Sequence, residues 1–282
     1  MAVAVVTDSA AAIPRELASQ AGIVVVPMRL SIGPDSYEED DVPLEEVVRR
    51  FDEGVRTSGP APAAFTRAIE EAGARGGAGD GAVILTVSER MSSTHKSALL
   101  AADLAAELGG PPIRVMDTSS AAGAQALVVL AAAGAAAAGA DLDAVVSRAN
   151  HVRRQVRLVA AVETLDFLVM GGRLPDLAGR AGRYLGVRPL FEFRDGRIKP
   201  LRPAMSRDGA VEALLGHWRR SRPRGRALHV VVLHALAPEA AGHLAAAVRA
   251  EAEPATCLVE SFGPVMVAHT GPGVTGLAWW WE

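Results

Sequence analysis

The sequence of 282 residues contains a single cysteine, Cys257, so it cannot form an intramolecular disulfide. A reducing cytoplasm is therefore the expected compartment. Aromatic residues make up only 4% of the chain, so the core must be built mainly from alanine, valine and leucine. The formal net charge is −3, and without a basic surplus we do not expect nucleic-acid binding.

Several sequence signatures of cofactor and metal chemistry are missing. No glycine-rich dinucleotide fingerprint follows the first apolar run, and no phosphate-binding P-loop occurs. The nucleophile elbow of many hydrolases and the histidine and cysteine spacings of zinc sites are also absent. The sequence therefore predicts no cofactor, no metal ion and no nucleotide site within this chain.

Long strongly apolar runs are missing as well. The longest uncharged stretch, residues 121–140, consists mostly of alanine and glycine and is only weakly lipophilic. The first residues resemble a strand and carry no positively charged leader. We expect residues 121–140 to form a buried helix and the chain to have no integral membrane segment.

The first half of the sequence alternates short apolar runs with helical patterns. Strands are predicted at 2–6, 23–26, 83–87 and 113–116, with helices starting near Pro14 and covering 44–51, 63–72 and 97–108. Loops are predicted at 34–41 and 57–62. Strands that alternate with helices in this way are typical of a parallel α/β sheet.

The pattern changes after residue 150. Strands are predicted at 156–162, 187–193, 198–203, 228–233, 257–261 and 265–269, with helices at 165–170, 210–220 and 238–251. Asp195 and Gly196 form a typical hairpin turn between two of these strands. The prediction is an α/β protein with two α/β domains: residues 1–153 with a mainly parallel sheet, and residues 154–282 as a smaller domain with a mixed sheet.

Polar clusters follow three of the predicted strands, at 7–9, 88–94 and 117–120. The carboxyl ends of parallel strands commonly bind ligands, although each cluster alone could simply cap a helix. Hydroxyl and backbone N–H groups near a helix N-terminus suit a carboxylate or phosphate oxygen. Asp8 could accept a phosphoryl group, but a loop-fixing role is favoured because position 10 is alanine rather than a second aspartate.

The chain resembles the DegV family of bacterial fatty-acid-binding proteins in six segments that occur in the same order. These segments cover nearly the whole chain: 6–9, Thr57-Ser58-x-Pro60, Met91-Ser92-Ser93-Thr94 with Ser97-Ala98, 116–117, Gly171-Gly172-Arg173 and 269–273. The resemblance implies a long-chain fatty acid buried between two α/β domains. In members that act as fatty acid kinase subunits, the carboxylate is presented to a separate ATP-binding partner.

The resemblance also implies roles for particular residues. Thr57 and Ser92 would donate hydrogen bonds to the carboxylate, helped by the backbone N–H of Ser93, while Arg173 and His269 would lie at the pocket mouth. Ser58 and Thr94 belong to the same binding segments. The chain departs from the family pattern at three positions, where Gly59, Ser93 and Met170 replace glutamine, glycine and lysine; Glu89 and Arg90 also add a charge pair.

The sequence thus predicts a cytoplasmic, non-catalytic carrier that binds a long-chain fatty acid and presents it to a separate kinase subunit. One alternative is an enzyme that acts on a small carboxylated or phosphorylated metabolite at the same strand edge. Another is a protein-interaction module that uses residues 173–226, where 14 basic residues outnumber 5 acidic ones.

Overall fold

A computed structural model describes residues 3–74, 79–174, 186–223 and 225–282. Its first half contains, in chain order, β1 (Ala4–Asp8), α1 (Arg15–Gln20), β2 (Ile23–Val26), β3 (Arg29–Ile32), β4 (Asp35–Glu38), α2 (Leu44–Arg49), β5 (Val55–Ser58), α3 (Pro62–Ala74), β6 (Ala82–Thr86), α4 (Thr94–Glu107), β7 (Ile113–Asp117), α5 (Ala122–Ala137) and α6 (Leu142–Gln155). The second half contains β8 (Arg157–Ala161), α7 (Asp166–Met170), β9 (Arg188–Arg194), β10 (Arg197–Ala204), α8 (Arg207–Arg220), β11 (Leu228–His234), α9 (Pro238–Glu251), β12 (Thr256–Ser261), α10 (Pro264–Thr270) and β13 (Thr275–Trp281).

The first half is organised around a parallel sheet of four strands in the order β2-β1-β6-β7. β1 and β6 are buried along their whole lengths, as is typical of strands covered by helices on both faces. The predicted parallel α/β sheet is therefore confirmed.

A small antiparallel sheet in the order β4-β3-β5 corrects two loop predictions. Residues 34–41 contain β4, and Thr57 and Ser58 end β5 rather than belonging to a loop. The sequence signal for β4 is weak because its residues are mostly exposed and polar, so no apolar alternation marks it.

The second half forms a mixed sheet of six strands in the order β10-β9-β8-β13-β11-β12, which confirms the predicted mixed sheet. β11 and β12 are parallel, and the other neighbouring pairs are antiparallel. The β9–β10 turn has positive φ at both Asp195 and Gly196, the conformation of the tight hairpin predicted there.

The predicted strand at 265–269 is wrong, because these residues belong to helix α10. The two valines Val265 and Val267 are two positions apart, as in a strand, and this spacing is the reason that the sequence predicts a strand here. Pro264 at the first helical turn and the carboxylate of Glu39, which accepts the N–H of Val265 at 2.9 Å, favour a helix start instead.

Helix α5 joins the two halves by packing against both sheets. One continuous core includes Val83 and Leu85 of the first sheet, much of α5, and Leu158 and Val231 of the second sheet. Most of α5 is buried, as predicted for residues 121–140. No helix in the described ranges is both long and apolar enough to cross a membrane. The proposed domain boundary at residue 153 falls in the last turn of α6.

We expect Gly123→Ala in α5 to destabilise the fold by about 1–3 kcal/mol through overpacking. A Cβ at Gly123 would lie 2.9 Å from both Cβ and Cγ1 of Val231. Gly134 is the matched control, since no atom lies within 4 Å of a Cβ built there. Gly134→Ala should stabilise the protein by up to about 1 kcal/mol through helix propensity. Chemical denaturation measures both; equal stabilisation would contradict the close packing.

Candidate functional site

An almost wholly apolar cavity lies between the two sheets. The empty space in this cavity and at its open mouth is about 730 Å³, and only about 80 Å³ of it is wide enough for the centre of a water molecule. The first half contributes one wall and the second half the other, and the apolar lining includes Met28, Val87, Met91, Ala121, Ala122, Leu158, Ala160, Leu168, Phe191, Phe193, Ile198, Phe262, Val265 and Met266. Such a narrow space suits an extended alkyl chain better than a bulky ring.

A threonine of strand β5 and a histidine of helix α10 meet at this cavity. Thr57 Oγ1 and His269 Nε2 lie 2.7 Å apart and form a hydrogen bond between the two halves of the chain. Alternation along β5 turns Thr57 inward and leaves Ser58 exposed. Only Thr57 of this pair therefore lines the cavity.

His269 is held in its neutral form. Burial is the main reason that the pKa of His269 is lowered to about 4, and the positive charge of Arg173 is the second reason. Nδ1 of the ring is buried and has no hydrogen-bond partner among the described residues. A Cβ at Gly171 would lie 2.6 Å from this nitrogen, so only glycine fits beside the ring without a shift. If Nε2 carries the proton and donates it to Thr57, the Thr57 hydroxyl is left to donate to a ligand.

Arg173 supplies the positive charge of the site. Its Nε donates to the carbonyl oxygen of Met91 at 3.2 Å, and Nη1 donates to that of Gly171 at 2.5 Å. Burial lowers the pKa of Arg173, but an arginine stays charged at physiological pH. Within the described residues no carboxylate forms an ion pair with this guanidinium, and Arg173 lines the cavity. An anionic ligand would therefore find an uncompensated, half-buried cation here.

The Ser92 hydroxyl is the second hydroxyl donor placed at the cavity by the sequence prediction. Ser92 Oγ lies 2.8 Å from Thr94 Oγ1 and also accepts the Thr94 N–H at 3.3 Å. When Thr94 donates its hydroxyl proton, the Ser92 hydroxyl can donate to a ligand. Thr94 is buried and supports Ser92 without lining the cavity, whereas the Ser93 side chain is exposed.

Glu39 positions the helix that carries His269, and it is not among the residues predicted from the sequence. Its buried carboxylate accepts hydrogen bonds from the Val265 N–H and from the Ser9 hydroxyl. Burial raises the pKa of Glu39, while these two hydrogen bonds act in the opposite direction. A Glu-to-helix contact that spans 226 positions leaves no local pattern in the sequence.

Asp8 fixes a loop at the end of β1. Its two carboxylate oxygens accept the N–H groups of Val87 and Ala10, and Gln125 donates to one of them at 3.2 Å. Burial raises the pKa of Asp8 to about 6, against the opposing effect of these hydrogen bonds. These contacts match the loop-fixing role favoured from the sequence, and Asp8 does not line the cavity.

The structure thus brings together four of the predicted residues, Thr57, Ser92, Arg173 and His269, at one cavity. Ser58 and Ser93 are exposed, and Thr94 supports Ser92 from behind. His269 lies near the end of helix α10 rather than in the strand predicted at 265–269. Within the described ranges, no group of three or more histidine, cysteine or carboxylate side chains is placed to hold a metal ion. Neutral donors beside one cation can bind a carboxylate.

Comparison with known proteins gives consistent results. The model of a family described as "Uncharacterised protein, DegV family" matches residues 2–282. A DegV domain-containing protein of Streptomyces coelicolor is 34% identical over 98% of this chain and 97% of its own length. A fatty acid-binding protein of Thermotoga maritima is 27% identical over 98% and 96% of the two chains. A solved structure, described as fatty acid binding of a DegV family protein from Thermus thermophilus, covers 100% of both chains with 28% identity and a TM-score of 0.89.

We expect the imidazole of His269 to titrate near pH 4 in lipid-free protein. An NMR titration of the histidine ring protons measures this pKa, and His269→Gln assigns the signal. Arg173→Gln should raise the pKa, because it removes the second cause of the shift. The ordinary histidine pKa is 6.5, so protonation of His269 favours unfolding as the pH falls from about 6.5 to 4. A measured pKa of 6 or above would contradict the buried, neutral ring.

Proposed function

This chain belongs to the DegV family, and from that membership and the cavity geometry we propose that it binds a long-chain fatty acid between its two sheets. The alkyl chain occupies the narrow apolar space, and the carboxylate lies against Thr57, Ser92, Arg173 and His269. The proposal includes a cytoplasmic location and two domains, 1–153 and 154–282, that form the two walls.

The single observation that carries this proposal is a cluster of polar groups in an otherwise apolar cavity. Each buried methylene contributes about 0.8 kcal/mol, so a long alkyl chain gains much from this environment. A carboxylate loses hydration on burial, and Arg173 with the hydroxyl donors offsets that loss. The comparison proteins from Thermotoga and Thermus, described as binding fatty acids, support the same ligand class.

A further part of the proposal is that the bound carboxylate is presented to a separate ATP-binding kinase subunit, which forms the acyl phosphate. Phosphoryl transfer needs a held nucleotide and metal, and the sequence contains no phosphate-binding loop for them. Residues close in sequence to Ser92 and Arg173 reach the surface: Ser93 is exposed, and the side chain of Met170 is 82% exposed. A partner could therefore approach the carboxylate end, with this chain as the non-catalytic subunit.

The two alternatives from the sequence fit the structure less well. A small carboxylated or phosphorylated metabolite would leave most of the apolar cavity empty. The basic stretch 173–226 is partly neutralised, since Arg188 and Arg207 pair with Glu163, and Arg219 pairs with Glu212 and Glu251. Residues 175–185 and 224 of that stretch lie outside the described residues.

We expect Thr57→Val and Ser92→Ala each to weaken fatty acid binding by about ten- to one-hundred-fold. Each variant removes one hydroxyl donor to a charged group, and such hydrogen bonds are worth about 1.5–3 kcal/mol. Titration of delipidated protein with a fluorescent fatty acid, followed by displacement with unlabelled acid, measures the affinity.

Thr66→Val and Ser36→Ala are matched controls for these variants. The Thr66 hydroxyl bonds to a helix carbonyl and Ser36 is exposed on β4, and neither residue lines the cavity. Both controls should retain wild-type affinity and melting temperature. Unchanged affinity in Thr57→Val and Ser92→Ala, with native melting, would rule out these two donors.

With a kinase subunit and saturating fatty acid, we expect Arg173→Gln to lower turnover by at least about tenfold, or roughly 1.4 kcal/mol. An arginine beside a phosphoryl group stabilises charge that spreads over the transferring oxygens, an effect that saturating ligand does not restore. Acyl-phosphate formation measures turnover. Full turnover in Arg173→Gln would contradict this placement of Arg173.

His269 is tested by the variant His269→Ala. A joint loss of fatty acid affinity and melting temperature in this variant would indicate that His269 is a structural anchor.

A further inference from the structure

A second cleft lies on the face of the six-stranded sheet opposite the apolar cavity. Along β8, Leu158 lines the apolar cavity, whereas Arg157 lines this second cleft. Its other arginines are Arg154 at the end of α6, Arg194 at the end of β9 and Arg226 just before β11. We call this site the arginine cleft. The arginine cleft has a volume of about 250 Å³.

The positive charge of the arginine cleft is poorly neutralised. Among the described residues, neither Arg154 nor Arg157 forms an ion pair, and Arg194 faces only the exposed carboxylate of Asp195 at 3.8 Å. Arg226 Nε donates to the main-chain oxygen of Glu282 at 2.6 Å, which leaves its other N–H groups available. Arg154 and Arg157 thus bring to one small cleft two guanidinium groups that have no ion-pair partner among the described residues. Such an arrangement attracts anionic ligands.

We propose that the arginine cleft binds a phosphate group, carried by a small soluble phosphate compound or by a lipid headgroup. Guanidinium groups donate in pairs to phosphate oxygens, and here they approach from the ends of α6 and β9 and the starts of β8 and β11. A phosphate presents oxygens on several sides and can accept from several of these arginines together. A planar carboxylate presents only two oxygens.

The test is calorimetric titration of the full-length protein with pyrophosphate at low salt. The double variant Arg154→Gln/Arg157→Gln should weaken pyrophosphate binding at least tenfold. The control Arg202→Gln/Arg249→Gln removes the same charge from two exposed positions outside the cleft and should change the affinity less than twofold. Both double variants should bind fatty acid like the wild type, which shows that they are folded.

Flotation with phosphatidylcholine vesicles, with and without phosphatidic acid, distinguishes the two phosphate sources. Pyrophosphate binding without vesicle recruitment supports a soluble phosphate compound. Recruitment by phosphatidic acid that depends on Arg154 and Arg157 supports a lipid headgroup. The proposal is overturned if neither probe binds, or if the control double variant weakens binding as much as Arg154→Gln/Arg157→Gln does. These outcomes leave the fatty acid proposal unaffected, because that site lies on the other face of the sheet.

Discussion

The packing of one alanine-rich helix against two sheets is the contact on which the rest of the structure depends. α5 contacts the parallel sheet on one side and the mixed sheet on the other, and Gly123 brings its backbone against Val231. Larger side chains would separate the sheets. Because Ala121 and Ala122 at the start of α5 also line the cavity, the close packing sets the spacing between the cavity walls as well.

Two polar contacts then complete the polar part of the cavity from both halves of the chain. Glu39 of the first half holds the start of α10, and Thr57 bonds His269 near the end of the same helix. His269 stays neutral because it is buried close to the charge of Arg173. The site therefore combines one fixed cation with neutral donors, and it exists only when the two halves are docked together.

Much of this arrangement could be predicted from the sequence, for identifiable reasons. The buried strands of the parallel sheet appear as apolar runs with polar ends, and the resemblance to the DegV family pointed to Thr57, Ser92, Arg173 and His269. β4 is exposed and polar, so it gave no apolar signal. The start of α10 depends on Glu39, a partner 226 positions away, which no local pattern reveals. The outward direction of Ser58 follows from strand alternation only once β5 is recognised as a strand.

We propose that the cavity between the sheets holds a fatty acid. Native mass spectrometry of protein purified from a bacterial host, with analysis of the solvent extract, is the decisive experiment. We expect a bound mass that is released as a long-chain fatty acid and is regained when delipidated protein is incubated with such an acid. Protein that carries no lipid, and that after delipidation binds neither saturated nor unsaturated long-chain acids, would contradict it.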